Sequence, residues 1–197
     1  MPITENEVPD QEIVERCKKG EREAFNCLVE RYQTKVINIA YGMLSNQEDA
    51  YDAAQEAFIR IYRNIGNFQG KSSLSTWIYR IVANVCTDSL RKRGKKNIIS
   101  LDSGPGEEDS PPKELRDTAP TPEAAAALSE TQREVRQAIS KLVEEQRIII
   151  TLYDIEGMSY EEIAHIVDCP VGTVKSRLNR ARKSLKKILS EKRELFF

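Results

Sequence analysis

A proline-rich, acidic stretch in the middle of the chain constrains the fold more than any other sequence feature. Five prolines and two glycines lie within residues 100–122. Proline at this density interrupts helical hydrogen bonding, and the stretch holds too few apolar residues to build a core. Residues 101–130 contain eight acids and two bases, a net charge of −6. The composition therefore predicts a flexible acidic linker rather than a packed element.

Helical hydrophobic patterns lie on both sides of this stretch. Apolar residues recur at three- and four-residue steps from about residue 11 to residue 94, and again from about residue 123 onwards. We therefore predict an all-α protein with two small helical domains, residues 10–95 and 128–193. The flexible acidic linker, residues 96–127, joins them.

The composition excludes several classes of protein. No run approaches the roughly 18–20 apolar residues of a membrane helix, and the acidic start of the chain lacks the apolar core of a signal peptide, so we expect a cytoplasmic protein. The four cysteines form no CxxC pair, and His165 is the only histidine. These counts disfavour zinc sites and most general-base arrangements. We expect no catalytic residue, no metal and no cofactor. The net charge of −1 does not exclude nucleic acid, because binding needs only a basic face.

The predicted third helix, residues 47–65, combines a buried apolar stripe with an acidic face. Asp49, Asp52 and Glu56 share this face at spacings i, i+3 and i+7, and residues 44–58 contain no lysine or arginine. Three interpretations remain open at this point. The face is solvated and its acids favour the helix dipole, it docks on a basic partner helix, or its carboxylates bind Mg²⁺ in a nuclease.

The predicted fourth helix follows a polar loop, residues 68–74, with Ser75 as its N-cap. One side of this helix is apolar and includes Trp77, whose position favours the core over a stacking role. The opposite side carries Arg80, Asn84, Asp88 and Arg91 at helical spacing. Seven bases and one acid between residues 71 and 96 give this region a net charge of +6. The helix is either a solvated basic surface or a contact for phosphates and base edges.

The strongest motif lies near the end of the chain. Ser159 and Glu162 have the spacing of a capping box at the start of a helix, a tight turn follows at residues 168–169, and a second helix begins after Pro170. Two short helices joined by a brief turn predict a helix-turn-helix, whose second helix would enter the major groove of DNA. Residues 170–197 carry nine bases and two acids, a net charge of +7. The remaining alternative is an ordinary helical hairpin with a basic surface.

Taken together, these segments resemble the bacterial extracytoplasmic-function (ECF) sigma factors of RNA polymerase, within them the sigma-E type. The resemblance rests on DAYDAAQEAF at residues 49–58, STWIYRIVAN at 75–84, and SYEEIA and DCPVGTVKSR within residues 152–185. It covers nearly the whole chain outside the linker. The ordered pair of motifs, separated by a linker, is far more specific than either motif alone.

The resemblance implies three sets of functional residues. The docking set on the third helix would contact the β′ clamp helices of core polymerase and comprises Asp49, Asp52, Gln55, Glu56 and Phe58. The −10 set would capture and read the −10 element as single-stranded DNA and comprises Phe68, Lys71, Ser72, Ser73, Trp77, Arg80, Asn84, Asp88 and Arg91. The −35 set would read duplex DNA and comprises Thr173, Lys175, Ser176, Arg177, Arg180 and Lys183.

The resemblance also implies the function and its partners. The chain is expected to be an alternative-sigma transcription initiation factor that brings core RNA polymerase to specific promoters and helps to melt them. Its partners would be core polymerase, through the β′ clamp helices and the β flap, promoter DNA in duplex and single-stranded form, and a cognate anti-sigma factor. The main rival is an autonomous helix-turn-helix regulator, which would need neither the acidic face nor a second DNA-reading domain.

Overall fold

A computed structural model describes residues 8–102 and 130–194 of the chain. Every regular element within these two ranges is helical, and they contain no strand. The predicted all-α class is confirmed. Residues 103–129, which include most of the predicted linker, lie outside the described part of the chain.

Four helices lie within residues 8–102. Their bounds are α1 Asp10–Lys18, α2 Arg22–Leu44, α3 Gln47–Asn64, which ends in a short 3-10 turn Ile65–Asn67, and α4 Leu74–Asp102. Gly20 follows the end of α1 with a φ of +83°, as its sequence position predicts, because glycine enters the left-handed region without steric cost. Asn46 caps α3 by accepting a hydrogen bond from the Asp49 backbone N–H at 3.0 Å.

Helix α4 differs from the sequence prediction at both ends. Its N-cap is Ser73 rather than Ser75, because the Thr76 backbone N–H donates to Ser73 Oγ at 3.1 Å. The loop offers several serines, and only the path of the backbone decides which hydroxyl reaches the first turn. At its far end α4 continues past Gly94 to Asp102 and so enters the range 96–127 predicted as linker. No proline interrupts the chain before Pro105, which explains why the helix extends that far.

Four further helices lie within residues 130–194. They are α5 Glu130–Ser140, α6 Glu144–Ile150, which continues as a π-helical turn Thr151–Ile155, α7 Tyr160–Val167 and α8 Val171–Glu194. The predicted capping box is present: Ser159 Oγ accepts from the Glu162 N–H at 3.2 Å, and the Glu162 carboxylate accepts from the Ser159 N–H at 2.9 Å. Asp168, with a φ of +53°, ends α7 and opens the tight turn into α8.

The apolar faces of both halves meet in one continuous core. In the N-terminal half, the alanine stripe of α3 lets this helix lie close against α2 and α4. The large side chains buried in this core include Leu28, Val36, Ile39, Ile61, Ile78 and Val82 of the N-terminal half, and Ile149, Leu152, Ile163, Ile166, Val174 and Leu178 of the C-terminal half. Helices α2 and α4 also contact α6, the π-helical turn and α7, so the two domains pack directly on each other.

Candidate nucleic-acid interface

The docking set divides into exposed and partly buried members on α3. Asp52 and Gln55 are exposed, whereas Asp49 and Glu56 are half-buried and Phe58 packs against the core. Glu56 already has a partner, because Arg60 Nε donates to its carboxylate at 2.7 Å. Asp52 is therefore the acid on this face that is most open to a partner.

The adjoining face of α3 carries an exposed apolar stripe that the sequence analysis missed. Tyr51, Ile59 and Tyr62 have exposed fractions of 48%, 45% and 55%, and with Gln55 they follow one another at four- and three-residue steps. The signal was present in the sequence, since α3 carries apolar residues on more of its circumference than one buried stripe requires. Aromatic side chains mixed with polar ones are typical of protein–protein contacts.

The aromatic members of the −10 set lie together at the base of the loop before α4. The rings of Phe68 and Trp77 have centroids 5.3 Å apart and are tilted by 54°, and both side chains are partly buried against the core. Lys71 is exposed. Ser72 is half-buried, and Ser73 Oγ lies 2.7 Å from Thr76 Oγ1 in addition to capping α4. Ser73 therefore has a structural function whether or not it touches DNA.

The remaining members of the −10 set form a stripe along α4. Arg80, Asn84 and Arg91 are exposed. Asp88 is half-buried and lies 3.4 Å from Arg60 Nη1, so it connects α4 to α3. Arg80 Nη2 lies 3.1 Å from Asp168 Oδ2 in the turn of the helix-turn-helix, although the two residues belong to different domains.

The −35 set lies on the first four turns of α8, away from its buried face. Lys175, Ser176, Arg180 and Lys183 are exposed. Thr173 and Arg177 are half-buried, with Thr173 accepting a hydrogen bond from Ser176 Oγ at 3.0 Å and Arg177 Nε lying 3.7 Å from Glu145 Oε2. The helix thus presents a polar, mostly basic surface at the N-terminal end, where helix-turn-helix proteins contact base edges.

Two stacked tyrosines hold α8 against the rest of its domain, a feature that the sequence analysis also missed. The rings of Tyr153 and Tyr160 stack with centroids 4.8 Å apart. Lys175 lies over Tyr160 and Arg182 over Tyr153, at 5.3 and 5.1 Å from the ring centroids. Arg182 also pairs with Asp154. These contacts fix the orientation of the helix that carries the −35 set, and their residues are too widely spaced in sequence for periodicity to identify them.

Two further observations concern metal binding and membrane-spanning helices. Within residues 8–102 and 130–194, no three histidine, cysteine, aspartate or glutamate side chains come together as a ligand group for a metal ion. Asp49, Asp52 and Glu56, considered above as Mg²⁺ ligands, form no such group. None of the described helices is long and apolar enough to cross a membrane.

Comparison with known proteins assigns both halves of the chain. The family model for Sigma-70 region 2 matches residues 28–96, and that for Sigma-70, region 4 matches residues 132–185. The chain is 40% identical to the RNA polymerase sigma-H factor of Pseudomonas aeruginosa, over 91% of this chain and 93% of that protein. It is 42% identical to the ECF RNA polymerase sigma-E factor of Haemophilus influenzae, over 91% and 94% of the two chains.

Solved structures show the same fold. The sigma factor RpoE of Bartonella quintana, in complex with the anti-sigma factor NepR, superposes with a TM-score of 0.64 and 25% identity, over 84% of this chain and 96% of that one. CnrH, solved with the cytosolic domain of CnrY, gives a TM-score of 0.63 over 92% and 97% of the two chains, and at 21% identity it shows the fold alone. The order of the two matched regions and the identity over nearly the whole chain agree: this chain belongs to the ECF family of RNA polymerase sigma factors.

Proposed function

We propose that this alternative sigma factor, which directs RNA polymerase to promoters, divides promoter reading between two domains. The N-terminal domain, residues 10–95, would hold the −10 element and dock on core polymerase, and the C-terminal domain, residues 128–193, would read the −35 element. Residues 96–127 would connect them, with α4 extending into the start of this linker. The chain would perform no bond chemistry of its own and would act in the cytoplasm.

The observation that carries the proposal is the exposed basic surface on α8. Lys175, Ser176 and Arg180 project from a helix that is fixed by the capping box of α7 and by the stacked tyrosines. Their side chains can reach base edges and phosphates once the helix enters the major groove. A hairpin with an ordinary basic surface would need no such bracing.

The loop before α4 supports the assignment of the −10 element. Phe68 and Trp77 form an aromatic pair at its base, and aromatic surfaces are what unstacked bases bind in single-stranded DNA. Lys71 in the loop and Arg91 further along α4 add positive charge. Extruding a base costs a few kcal/mol, which a fitted pocket must offset.

The mixed face of α3 favours docking over simple solvation. Tyr51 and Ile59 are exposed next to this acidic face, whereas the Tyr62 ring also packs edge-on against Phe25, with ring centroids 4.9 Å apart. Solvation alone does not account for exposed apolar side chains at this place. An aromatic and acidic surface fits a partner helix that offers basic and apolar side chains, as the β′ clamp helices would. We also propose a cognate anti-sigma factor, because a structural relative has been solved with one.

Transcription with core polymerase tests this proposal. Core polymerase and the full chain should produce run-off transcripts from a subset of a promoter library, and the subset should share a −35 and a −10 element. Asp52→Lys should weaken retention of core polymerase in a pull-down. Glu30→Lys, which also replaces an exposed acid by lysine but lies on α2, should not. Promoter binding by the chain alone, with no retention of core polymerase, would instead support the autonomous regulator.

A further inference from the structure

The stacked rings of Tyr153 and Tyr160 lie beside α8, and we call them the tyrosine pair. Tyr153 belongs to the π-helical turn, and Tyr160 is the first residue of α7. The planes of the two rings differ by only 15°, and the ring centroids are 4.8 Å apart. The two side chains therefore support each other and meet α8 as one aromatic surface.

Backbone hydrogen bonds fix the places of the two rings. The π-helical turn that carries Tyr153 closes with the Glu156 backbone N–H donating to Thr151 O at 3.0 Å. Ser159, which directly precedes Tyr160, is the N-cap of α7 and is held by the capping box. Single π-helical turns are frequent at functional sites in proteins. The tyrosine pair is therefore in place before any DNA is bound.

Each ring of the tyrosine pair carries a cation of α8. Lys175 Nζ lies 5.3 Å from the centroid of the Tyr160 ring, and Arg182 Cζ lies 5.1 Å from that of Tyr153. Both distances fall within the roughly 6 Å over which the face of a ring attracts a cation. Lys175 and Arg182 are seven residues apart, so they lie on the same side of α8 and about 10 Å apart along its axis. Helix α8 therefore meets the tyrosine pair at two places.

The two cations differ in what else surrounds them. Arg182 Nε also donates to the Asp154 carboxylate at 3.2 Å, so Arg182 anchors α8 to the π-helical turn. Lys175 is exposed and belongs to the −35 set. It lies near the N-terminal end of α8, the part of the second helix with which helix-turn-helix proteins contact base edges. The ring of Tyr160 therefore acts on a side chain of the predicted DNA-reading surface.

A lysine held by a ring differs from a lysine in solvent. The ammonium group of a solvated lysine is a mobile point charge on a flexible stem, which suits contact with phosphates. The ring restricts where the ammonium of Lys175 lies, so less side-chain entropy is lost when it meets DNA. The ammonium has three N–H donors and only one side of it faces the ring, so donors remain for an acceptor on a base edge. Lys175 can therefore contact a base without leaving the ring.

We propose that Tyr160 is a positioning residue for the reading of the −35 element. Its ring holds the ammonium of Lys175 in place to donate to an acceptor on one base in the major groove, such as O6 or N7 of guanine. The inference rests on the proposed function, since it requires that α8 reads the −35 element. Without the ring, Lys175 becomes a mobile cation that binds phosphates, so sequence discrimination falls while non-specific attraction remains.

Nuclear magnetic resonance of the free chain tests the contact between the ring and Lys175. Protons above the face of an aromatic ring are shifted upfield, so the methylene protons next to the Lys175 ammonium should resonate upfield of those of Lys183, which is exposed. Tyr160→Phe should keep this difference, and Tyr160→Leu should remove it. Equal shifts for the two lysines in the natural chain would overturn the proposal, as would a difference that survives in Tyr160→Leu.

Promoter binding with core polymerase tests the effect on sequence reading. Discrimination is the ratio of the affinity for the best −35 sequence to the affinity for a single-base variant, and partial unfolding of a protein variant cancels in this ratio. Lys175→Ala identifies the base that Lys175 contacts, as the position at which the ratio falls. At that position Tyr160→Leu should lower the ratio about two- to fivefold, the size of a cation–π contact at an exposed site, and Tyr160→Phe should keep it.

A double-mutant cycle distinguishes positioning from general support of the fold. In a Lys175→Ala background, Tyr160→Leu should lower the ratio no further. The matched control is Tyr41→Leu, which removes a ring of α2 that also carries a cation, since Arg136 Cζ lies 5.5 Å from its centroid; the ratio should not change. Equal weakening of every −35 sequence by Tyr160→Leu would overturn the proposal, as would an equal fall of the ratio with and without Lys175.

The two sets of measurements separate this inference from the proposed function. The ring contact of Lys175 is measured without polymerase or DNA. If the natural chain with core polymerase shows no preference among −35 sequences, the proposed function fails. If that preference is present but does not depend on Tyr160, the positioning role fails and the proposed function stands.

Discussion

At the scale of single residues, neighbouring bases on α8 are not equivalent. Arg177 is half-buried, with its guanidinium 3.7 Å from the Glu145 carboxylate, so its position is restricted before any DNA is bound. Lys183 is exposed and lies further along the helix, away from the turn. A restricted guanidinium suits bidentate contact with a guanine, whereas a mobile ammonium suits a phosphate.

We therefore expect Arg177→Ala to weaken binding unevenly across promoter sequences. If Arg177 contacts a guanine, the loss should be about 1–3 kcal/mol and should be confined to one position of the −35 element. Binding to a set of single-base −35 variants, with core polymerase present, measures this directly. An equal loss on every variant would assign Arg177 to phosphate contact.

Lys183→Ala is the matched comparison for Arg177→Ala. It should weaken all sequences about equally and lower the slope of log affinity against log salt by about 1. A sequence-dependent effect of Lys183→Ala would reverse the two assignments.

The thiol of Cys86 gives a second prediction at this scale, and it concerns pH. Cys86 is fully buried on α4, and burial raises its pKa from 9.0 to about 12. Between pH 9 and pH 12 this thiol is ionised in the unfolded chain but not in the folded chain. The contribution of the buried thiol to the free energy of unfolding is therefore complete below pH 9 and is lost as the pH rises towards 12. Each such group lowers the free energy of unfolding by about 1.4 kcal/mol per pH unit in this window.

Urea unfolding between pH 8 and pH 11 measures the effect. Cys86→Ala should show a shallower loss of stability above pH 9 than the natural chain. The slope is the informative quantity, because the smaller side chain also changes stability at every pH. Parallel curves for the two proteins would show that Cys86 ionises normally in the folded state.

At the scale of elements, the short helix α7 depends on its cap. It has eight residues, too few for a helix that is stable by itself, and its capping box satisfies backbone groups at its start. The hydrogen bonds from Ser159 also lower the pKa of Glu162. The stabilisation that comes from the ionised Glu162 carboxylate is complete above the ordinary pKa of glutamate. It is lost as the pH falls through the lowered pKa of Glu162.

Ser159→Ala should therefore lower the free energy of unfolding by about 1 kcal/mol. The dependence of its stability on pH in the acid range should be only slightly smaller, because the Ser159 backbone N–H, which is the main cause of the lowered pKa of Glu162, remains, and only the hydrogen bond from the hydroxyl is lost. Ser89→Ala is the control, since the Ser89 hydroxyl bonds to Val85 O inside α4 and caps nothing. Equal losses for the two variants in urea unfolding would argue against the capping box as a source of stability.

At the scale of the whole molecule, charge is segregated although the total is nearly zero. The acidic face of α3 and the acidic residues 101–130 balance the basic residues of α4 and α8. A protein with two partners of opposite charge needs this arrangement, since core polymerase and DNA must each find a complementary surface. The same segregation operates internally, because Glu156 and Asp168 of the C-terminal domain pair with Lys35 and Arg80 of the N-terminal domain.

The unpaired hydroxyl of Thr151, which lies against Gly42 of α2, yields a prediction about the stability of the whole molecule. Thr151→Val replaces Oγ1, which is buried without a partner, by a methyl group of similar size. It should raise the free energy of unfolding by about 1 kcal/mol, because the cost of burying an unpaired polar atom disappears. Thr76→Val is the matched control and should destabilise the protein, since Thr76 is also buried but its Oγ1 lies 2.7 Å from Ser73 Oγ. Destabilisation by both changes in urea unfolding would contradict this account.

Much of the fold follows from short-range rules that can be read from the sequence. The apolar stripe of α3, the end of α1 at Gly20 and the capping box of α7 depend on residues at most a few positions apart. The two wrong predictions, which concern the ends of α4, also have local causes. Ser73 rather than Ser75 caps α4 because several serines compete, and α4 runs beyond Gly94 because nothing there forbids a helix.

The residues of the candidate site also fall into two groups, those that the sequence predicts and those that only the structure shows. The sequence places Asp52 on an acidic face and Lys175 on a basic one, because helical period alone decides which residues share a face. Their roles in binding polymerase and DNA remain predictions that the experiments above test. The exposed stripe of Tyr51, Ile59 and Tyr62 emerged only when burial was known.

The sequence by itself determined the helical class, the two basic charge clusters and the family, because these depend on local hydrogen bonding, helical period and linear motifs. Only the tertiary structure decided how the domains meet. Gly42 and Thr151, or Arg80 and Asp168, are separated by about half of the chain, and no periodicity links them. Their contact depends on the complementary shape and charge of two folded surfaces, a property that exists only after both have formed.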